Sequence, residues 1–323
     1  MAFWLLFWPR SISSAALSLR AACFICSEKR DKNVLSAIKS IEKKGAIAYL
    51  TINNPTKANV MDNQVIEELG EAYQDYWADT DMRCMILTAV GDRHFSGGHS
   101  IDPPPPGETF EDERARRLNG FVWPRAGTVG GRRMSVFNGG VDFPQIWKPV
   151  IAAINGWAAG AGLYSLLTTA DIRIACAEHA RFYYALLSNR GGIGSGPLPT
   201  RLIRQVPYVH AMKMLLSDKP IDATEAARIH LVNEAVPHDS LMSHCEEIAN
   251  RICEMPPIAV RFLKEFLTKS RDMNEDQAWQ LQLLYNNITW QITEDAADAS
   301  ASFLEKRPRK TTGQLRTGGG GTA

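Results

Sequence analysis

The chain has 323 residues, 45% of them apolar and 22% charged, with 36 Lys plus Arg against 35 Asp plus Glu. That length exceeds the usual domain size, so one large domain with appendages and two smaller domains are both open. The even charge balance offers no basic stripe for nucleic acid or an anionic membrane, and six cysteines over this length make no disulfide scaffold.

The first 27 residues hold Arg10 and Arg20, several Ser and Ala, and no acid before Glu28. This composition reads either as a transit-type presequence or as an unstructured extension, spanning residues 1–40. Phe3 to Trp8 is too short to cross a bilayer. Cys23 and Cys26 form a single CxxC with no second pair and no clustered histidines, so no metal site is assigned. Ala46 to Asn53 alternates as a strand and stops at Asn54-Pro55, a turn signal. Asp62 offers a helix N-cap, and Val65, Ile66, Leu69, Ala72, Tyr73, Tyr76 and Trp77 follow at helical spacing. Met82 to Val90 reads as a buried strand containing Cys84.

Two glycine-rich segments carry the chemistry, Phe95 to Ile101 (Phe-Ser-Gly-Gly-His-Ser-Ile) and Asn155 to Leu163 (Asn-Gly-Trp-Ala-Ala-Gly-Ala-Gly-Leu). Each follows a run of β-formers and leaves bare backbone where a turn must form. Taken singly, either one only supplies positive φ or close packing. Brought together, two such turns aim two backbone N–H groups at one carbonyl oxygen, which is the construction of an oxyanion hole. Neither segment fits GxGxxG or GxxxxGK[ST], and no GxSxG elbow occurs, so dinucleotide, P-loop and serine-hydrolase readings fail.

Between the two segments lies a long insert, residues 102–145, opened by Pro103 to Pro106 and carrying six arginines from Arg114 to Arg133. A loop of this length in a compact domain is usually functional. Beyond Ile151 the pattern runs strand, glycine turn, helix (Ala161 to Thr169) and strand (Asp171 to Ala175, then Cys176). A further strand-like piece, Ala180 to Leu187, leads to a third glycine turn, Gly191 to Pro197. Two strands and a helix, repeated, make an α/β spiral. Ala211 to Leu216 and Ala223 to Ile229 are helical, and Leu241 to Lys306 reads as all helix broken at Pro256-Pro257, with Cys245 and Cys253 on it. The end, residues 307–323, carries Gly318 to Gly321 and is expected to be disordered.

These motifs resemble the crotonase superfamily, the enoyl-CoA hydratase/isomerase family, from about Ala46 to Lys306. Asn54 to Met61 resembles its N-P-x-x-x-N-x-[LM] segment. Phe95 to Ile101 and Lys148 to Gly162 resemble its two glycine motifs, and Ile221 to Pro237 resembles its passage ending in "LVNEVVP", with His230 where glycine is usual. The fold implied is α/β, a crotonase-type ββα spiral over residues 41–240 with a C-terminal all-helical trimerisation region over 241–306. The resemblance implies an acyl-CoA substrate, coenzyme A entering as part of that thioester with no tightly bound cofactor, and a homotrimer or dimer of trimers. The apolar positions Trp279, Leu281, Leu284, Tyr285 and Ile288 accord with such an assembly. The compartment expected is cytoplasmic, or mitochondrial if the extension is a transit peptide.

By the same resemblance the oxyanion donors are the backbone N–H groups of His99 and Ala161. Gly98, Gly160 and Gly162 admit the thioester, and Lys57, Ala58 and Lys264 meet the CoA moiety. The family's hydratases hold water between two glutamates, one taking a proton and the other giving one. Here Tyr164 stands at the first of those positions and Leu186 or a neighbour at the second. Tyr164, Tyr183, Tyr184, Ser195 and His99 are the polar candidates that remain, and Tyr164 and Tyr184 are carried forward with His99 and Ala161 as catalytic. The expectation is therefore enolate chemistry by an isomerase, hydrolase, decarboxylase or ring-cleaving lyase in preference to simple hydration. The long insert points to a bulky or cyclic acyl group. The alternative is a catalytically weak protein on the same fold that binds CoA or a partner.

Overall fold

The computed structural model describes residues 38–100, 107, 109, 111, 146–194 and 198–316. The CxxC, the presequence-like segment, most of the insert, Ser195 and the Gly318 to Gly321 run lie outside them. Strands β1 (Ile38–Lys44) and β2 (Ile47–Ile52) form an antiparallel hairpin around Gly45 at φ +60°. β1 thus begins inside the stretch read from sequence as a leading extension, because Ile38 to Lys44 pairs with the strand that follows it. Helix α1 (Asn63–Ala78) starts where the N-cap signal placed it, with Asp62 Oδ1 accepting the Val65 N–H at 2.9 Å. Then come β3 (Cys84–Ala89) and the short β4 (His94–Ser96).

After the insert the chain forms β5 (Val150–Ile154), β6 (Trp157–Ala159), α2 (Ala161–Thr169), β7 (Ile172–Cys176), β8 (Arg181–Tyr183) and the one-turn α3 (Leu187–Arg190). The remainder is α4 (Leu198–Gln205), α5 (Tyr208–Ser217), β9 (Ile221–Asp222), α6 (Ala223–Arg228) and β10 (Glu234–Val236). Helices α7 (Leu241–Cys253), α8 (Pro257–Ser270), α9 (Glu275–Ile292) and α10 (Glu294–Glu305) follow. One sheet runs β1-β2-β3-β5-β7-β10, parallel from β2 onward, and a second runs β4-β6-β8-β9. Each turn of the spiral lays a long buried strand in the first sheet and a three-residue strand in the second. This is the expected ββα spiral with a helical C-terminal region.

The strands β5, apolar throughout, and β3, apolar but for Thr88, form the centre of the core. α7 packs on this sheet through buried Leu241, Cys245 and Ala249, so the helical region supplies one of the core's walls. Residues 307–316, expected to be a free tail, run back over the start of α10. Buried Asp295 accepts the N–H groups of Thr312 and Gly313, and Arg316 N–H donates to Ile292 O. A carboxylate kept from water needs such donors, and the tail backbone provides them. On α9, Trp279 and Leu284 stand exposed, as do Phe303 and Leu304 on α10. No helix among the described residues is long and apolar enough to cross a membrane.

Candidate active site

β4 and β6 lie side by side in parallel, His94 opposite Trp157 and Ser96 opposite Ala158, so both glycine segments leave the same end of one sheet. Their contact is close enough to require glycine. A Cβ on Gly156 would stand 2.4 Å from the Arg93 carbonyl carbon, and one on Gly162 would stand 2.6 Å from Ser96 O. Gly98 adopts φ +107°, and a Cβ there would sit 3.0 Å from Ala159 O and 3.5 Å from the Ala161 amide nitrogen. The backbone of the first turn therefore rests against the amide that opens the second.

The direction of the two amides follows from the hydrogen bonds around them. Met61 pairs with His99 in a parallel bridge: Met61 N–H donates to Gly98 O at 2.8 Å, and Met61 O accepts from Ser100 N–H at 3.1 Å. In that pattern the N–H of His99 faces away from Met61. Ala161 is the first residue of α2, where amide hydrogens have no partner within the helix and the dipole favours negative charge. Gly160 caps it at φ +49°, its N–H donating to Tyr183 O at 3.0 Å while its carbonyl accepts from Tyr164 N–H. Two amides at neighbouring turns, one at a helix start, can stabilise an oxygen that gains charge.

The asparagines of both motifs hold this backbone. Buried Asn59 donates through Nδ2 to Val90 O and His94 O, and its Oδ1 accepts from Asn54 N–H at 2.9 Å. Ala58, at φ +54°, accepts the Gly97 N–H at 2.8 Å through its carbonyl. Asn155 Nδ2 donates to Ala89 O and Gly91 O. The Asn54 to Asn59 segment is thereby laid along the first glycine turn, with the side chain of Lys57 exposed beside it.

The comparisons with known proteins bear on the family of the chain. A family profile described as enoyl-CoA hydratase/isomerase matches residues 42–113 and 132–314. The chain belongs to the enoyl-CoA hydratase/isomerase family, the crotonase superfamily. It is 30% identical over 272 residues to the short-chain-enoyl-CoA hydratase of Clostridium acetobutylicum, covering 83% of this chain and 94% of that one. It is 29% identical to the (E)-benzylidenesuccinyl-CoA hydratase of Thauera aromatica, over 83% and 96% of the two chains. Among solved structures, an enoyl-CoA hydratase from Bacillus anthracis superposes with a TM-score of 0.72 at 26% identity, over 86% of this chain and all of the other.

Where the resemblance expects two glutamates, Tyr164 and Leu186 or a neighbour stand, and none of them is acidic. Tyr164 is buried on α2, and burial pushes its phenol well above the usual tyrosine range. At neutral pH it is a hydrogen-bond donor, not a base. Leu186 is half-buried. Tyr184 is also buried, and its hydroxyl donates to Ile193 O at 2.7 Å, holding the third glycine turn. His99 Nδ1 lies 2.8 Å from Ser100 O; a carbonyl only accepts, so Nδ1 carries the proton and Nε2 is the basic nitrogen of an exposed ring. Lys264 is placed at the far end of α2 from Ala161. It lines a 550 Å³ cavity and pairs with Asp171 at 2.7 Å while donating to Lys148 O.

Sequence reading missed two residues, Ser188 and Asp218. Tyr183 Oη is 2.9 Å from Ser188 Oγ, and Ser188 Oγ donates to Asp218 Oδ2 at 2.8 Å. Asp218 also accepts the N–H groups of Ala185 and Ser188, both at 2.7 Å. These bonds fix the turn after β8, where Ala185 takes φ +63°, and they end the strand at Tyr183 where sequence expected it to run on to Leu187. Since Ser188 gives its hydrogen to the carboxylate, Tyr183 must donate to Ser188. The order is Tyr183, Ser188, Asp218. Tyr183 sits directly opposite Ala159 in the β6–β8 ladder, beside the second glycine turn. No local sequence signal joins Asp218 to Tyr183, thirty-five positions away.

Proposed function

We propose that the protein is an acyl-CoA thioester enzyme that stabilises an enolate between the backbone N–H groups of His99 and Ala161. The observation that carries this reading is the 3.5 Å approach of the Gly98 position to the Ala161 amide nitrogen, in a chain of this family. Charge that grows on the thioester oxygen meets donors already in place, so the transition state gains more than the ground state. Of the three glycines expected to admit the thioester, only Gly160 faces open space, a Cβ there meeting nothing nearer than Tyr184 O at 4.0 Å, whereas Gly98 and Gly162 let the two turns pack together. Lys57 and the Ala58 backbone lie where the CoA moiety would approach the first turn.

The proton carrier in this reading is the Tyr183–Ser188–Asp218 chain. A proton taken from the acyl α-carbon onto Tyr183 Oη is matched by transfer of the tyrosine hydrogen to Ser188 Oγ and of the serine hydrogen to the Asp218 carboxylate. The electron pair left on carbon becomes the enolate. Isomerisation, decarboxylation or ring cleavage are the outcomes favoured, because neither usual glutamate is there to hold a water. Thioester hydrolysis stands beside them as an outcome the same two amides could serve through a tetrahedral oxyanion. A second reading, addition or elimination of water, is favoured by the names of the relatives, which are hydratases and dehydratases. The trimer or dimer of trimers implied by the family resemblance is proposed for the helical region, and its exposed Trp279, Leu284, Phe303 and Leu304 offer an apolar surface for such an assembly.

A panel of acyl-CoA thioesters followed by mass spectrometry tests the proposal. Product with loss of CO₂ or an unchanged mass with a shifted double bond supports enolate chemistry. Release of free CoA supports hydrolysis through a tetrahedral oxyanion held by the same two amides, and gain or loss of water by an intact thioester supports the second reading. Two variants test the residues. Proline at Ala161 keeps a helix start but removes the amide hydrogen, and turnover should fall by about 10²–10³-fold. Tyr183→Phe should lower kcat with little change in KM. Parental turnover by a folded Ala161→Pro protein sinks the oxyanion assignment, and CoA binding without turnover of any thioester favours the non-catalytic alternative.

A further inference from the structure

Cys176, His179 and His238 converge on the six-stranded sheet, away from the glycine turns. Their ligand atoms all lie within 4.8 Å of one another, drawn from two separate segments of the chain. Cys176 is the last residue of β7 and fully buried, His179 sits in the turn toward β8, and His238 follows β10. The backbone joins the two segments independently of these side chains. Cys176 pairs with Val236 in the β7–β10 ladder, Ala177 N–H donates to Val236 O at 2.8 Å, and Ala180 N–H donates to Cys176 O at 3.0 Å. Cys176 Sγ stands 3.5 Å from His238 Nδ1, and the two imidazoles meet edge to face with centroids 5.1 Å apart. Glu178 Oε2 completes the group, accepting from Cys176 Sγ at 3.2 Å and from His238 N–H at 3.0 Å.

We propose that Cys176, His179 and His238 form a binding site for a borderline-soft divalent cation of the zinc class. A tetrahedral ion with bonds of about 2.3 Å to sulfur and about 2.0–2.1 Å to nitrogen requires S···N separations of roughly 3.5 Å. The Cys176–His238 pair already meets that spacing. His179, on a turn, closes the remaining distance by side-chain rotation. One thiolate and two imidazoles select zinc, cobalt or copper over magnesium or calcium, which demand oxygen ligands. The fourth corner faces Glu178 and solvent. A bound ion would cross-link the β7–β8 turn to the end of β10 and so steady the strand that carries Tyr183. From sequence Cys176 reads only as a small core residue, and although Cys176 and His179 stand at C-x-x-H spacing, His238 is too distant in the chain to join them in a motif.

The test uses the full chain, stripped with a chelator, dialysed and titrated with Co²⁺ and then Zn²⁺. One equivalent of Co²⁺ should produce a thiolate-to-metal charge-transfer band, which one equivalent of Zn²⁺ displaces while raising Tm. The band should vanish in Cys176→Ser, and His179→Ala and His238→Ala should each weaken binding at least tenfold. A Cys23→Ser/Cys26→Ser double variant should keep it. His179→Ala alters a turn side chain, so it serves if Cys176→Ser fails to fold by circular dichroism. A folded wild-type chain that gives no charge-transfer band overturns the site. So does a band that survives loss of His179 and His238 and disappears with Cys23 and Cys26.

Discussion

At the scale of single residues, the glycines differ in what they do, and Gly98 is the one on which the site depends. Gly156 and Gly162 are excluded from having a side chain by backbone contact alone. Gly98 is constrained twice, by φ +107° and by the carbonyl of Ala159 at 3.0 Å from any Cβ. Alanine there must strain the left-handed backbone and push the Ala159 carbonyl, which leads directly into Gly160 and Ala161, away from the first turn. That movement separates the two donors while leaving the sheets intact. Gly98→Ala is expected to lower kcat/KM by about 10²-fold or more, roughly 3 kcal/mol of transition-state stabilisation. The accompanying change in unfolding free energy should be smaller, about 1–2 kcal/mol. Steady-state kinetics beside urea denaturation separates the two effects. Equal losses in both measurements would make Gly98 a packing residue and nothing more.

At the scale of elements, the turn after β8 is organised from a distance. Asp218 is buried, lies at the end of α5, and accepts from Ala185 N–H, Ser188 N–H and Ser188 Oγ. Ala185 sits in the left-handed region, a strained place for a residue with a Cβ, and the carboxylate holds it there. Asp218→Ala leaves those donors unmatched. It should cost about 2–4 kcal/mol of stability, read as a lower urea midpoint, and should release protection of the Ala185 and Ser188 amides in hydrogen exchange. Unchanged protection at both amides would remove Asp218 as the organiser. This turn also marks the boundary of what the sequence made legible. The helix from Asp62, the helix from Ala161 and both glycine turns could be read locally, because caps, periodicity and glycine act within a few residues. β1 is hard to see because Ile38–Lys44 holds only two apolar residues among lysines, a serine and a glutamate, and the proposed proton chain, whose members are brought together by β8, α3 and α5, leaves no local pattern. The metal-ligand cluster on β7 and β10 was hidden for the same reason. The tail beyond Lys306 reads as disordered, yet Asp295 binds it at Thr312 and Gly313 and the Ile292 carbonyl binds it at Arg316.

At the scale of the whole molecule, the core fixes how stability responds to pH. Burial raises the thiols of Cys84 and Cys253, and it pushes Cys245 up to about 12 from its ordinary 9.0. It also raises the phenols of Tyr73, Tyr76 and Tyr164. In each case the unfolded chain loses its proton first. The stability these groups contribute is therefore complete below their unfolded pKa values, near 9 for thiols and near 10 for phenols. It drains away as pH rises through the folded values, by about 1.4 kcal/mol per pH unit for each fully buried group. Lys148 acts in the opposite sense. Burial lowers its ammonium from 10.5 to about 8, against the partial opposition of Asp79, while Nζ donates to Tyr76 O and Asp79 O. Between about 8 and 10.5 the unfolded chain binds the proton that folded Lys148 has shed, so this one group makes stability climb with pH there. One lysine is opposed by these thiols from pH 9 and by these phenols from pH 10, and burial raises the thiol of Cys176 and the phenols of Tyr49 and Tyr184 in the same sense. Stability should thus peak between about pH 8 and 9 and fall steeply above 10, as urea midpoints taken from pH 7 to 10.5 at constant ionic strength will register. Lys148→Met should abolish the rise between pH 8 and 9 and leave the alkaline fall in place. A fall that disappears together with that rise would mean that the buried thiols and phenols do not govern the alkaline limb.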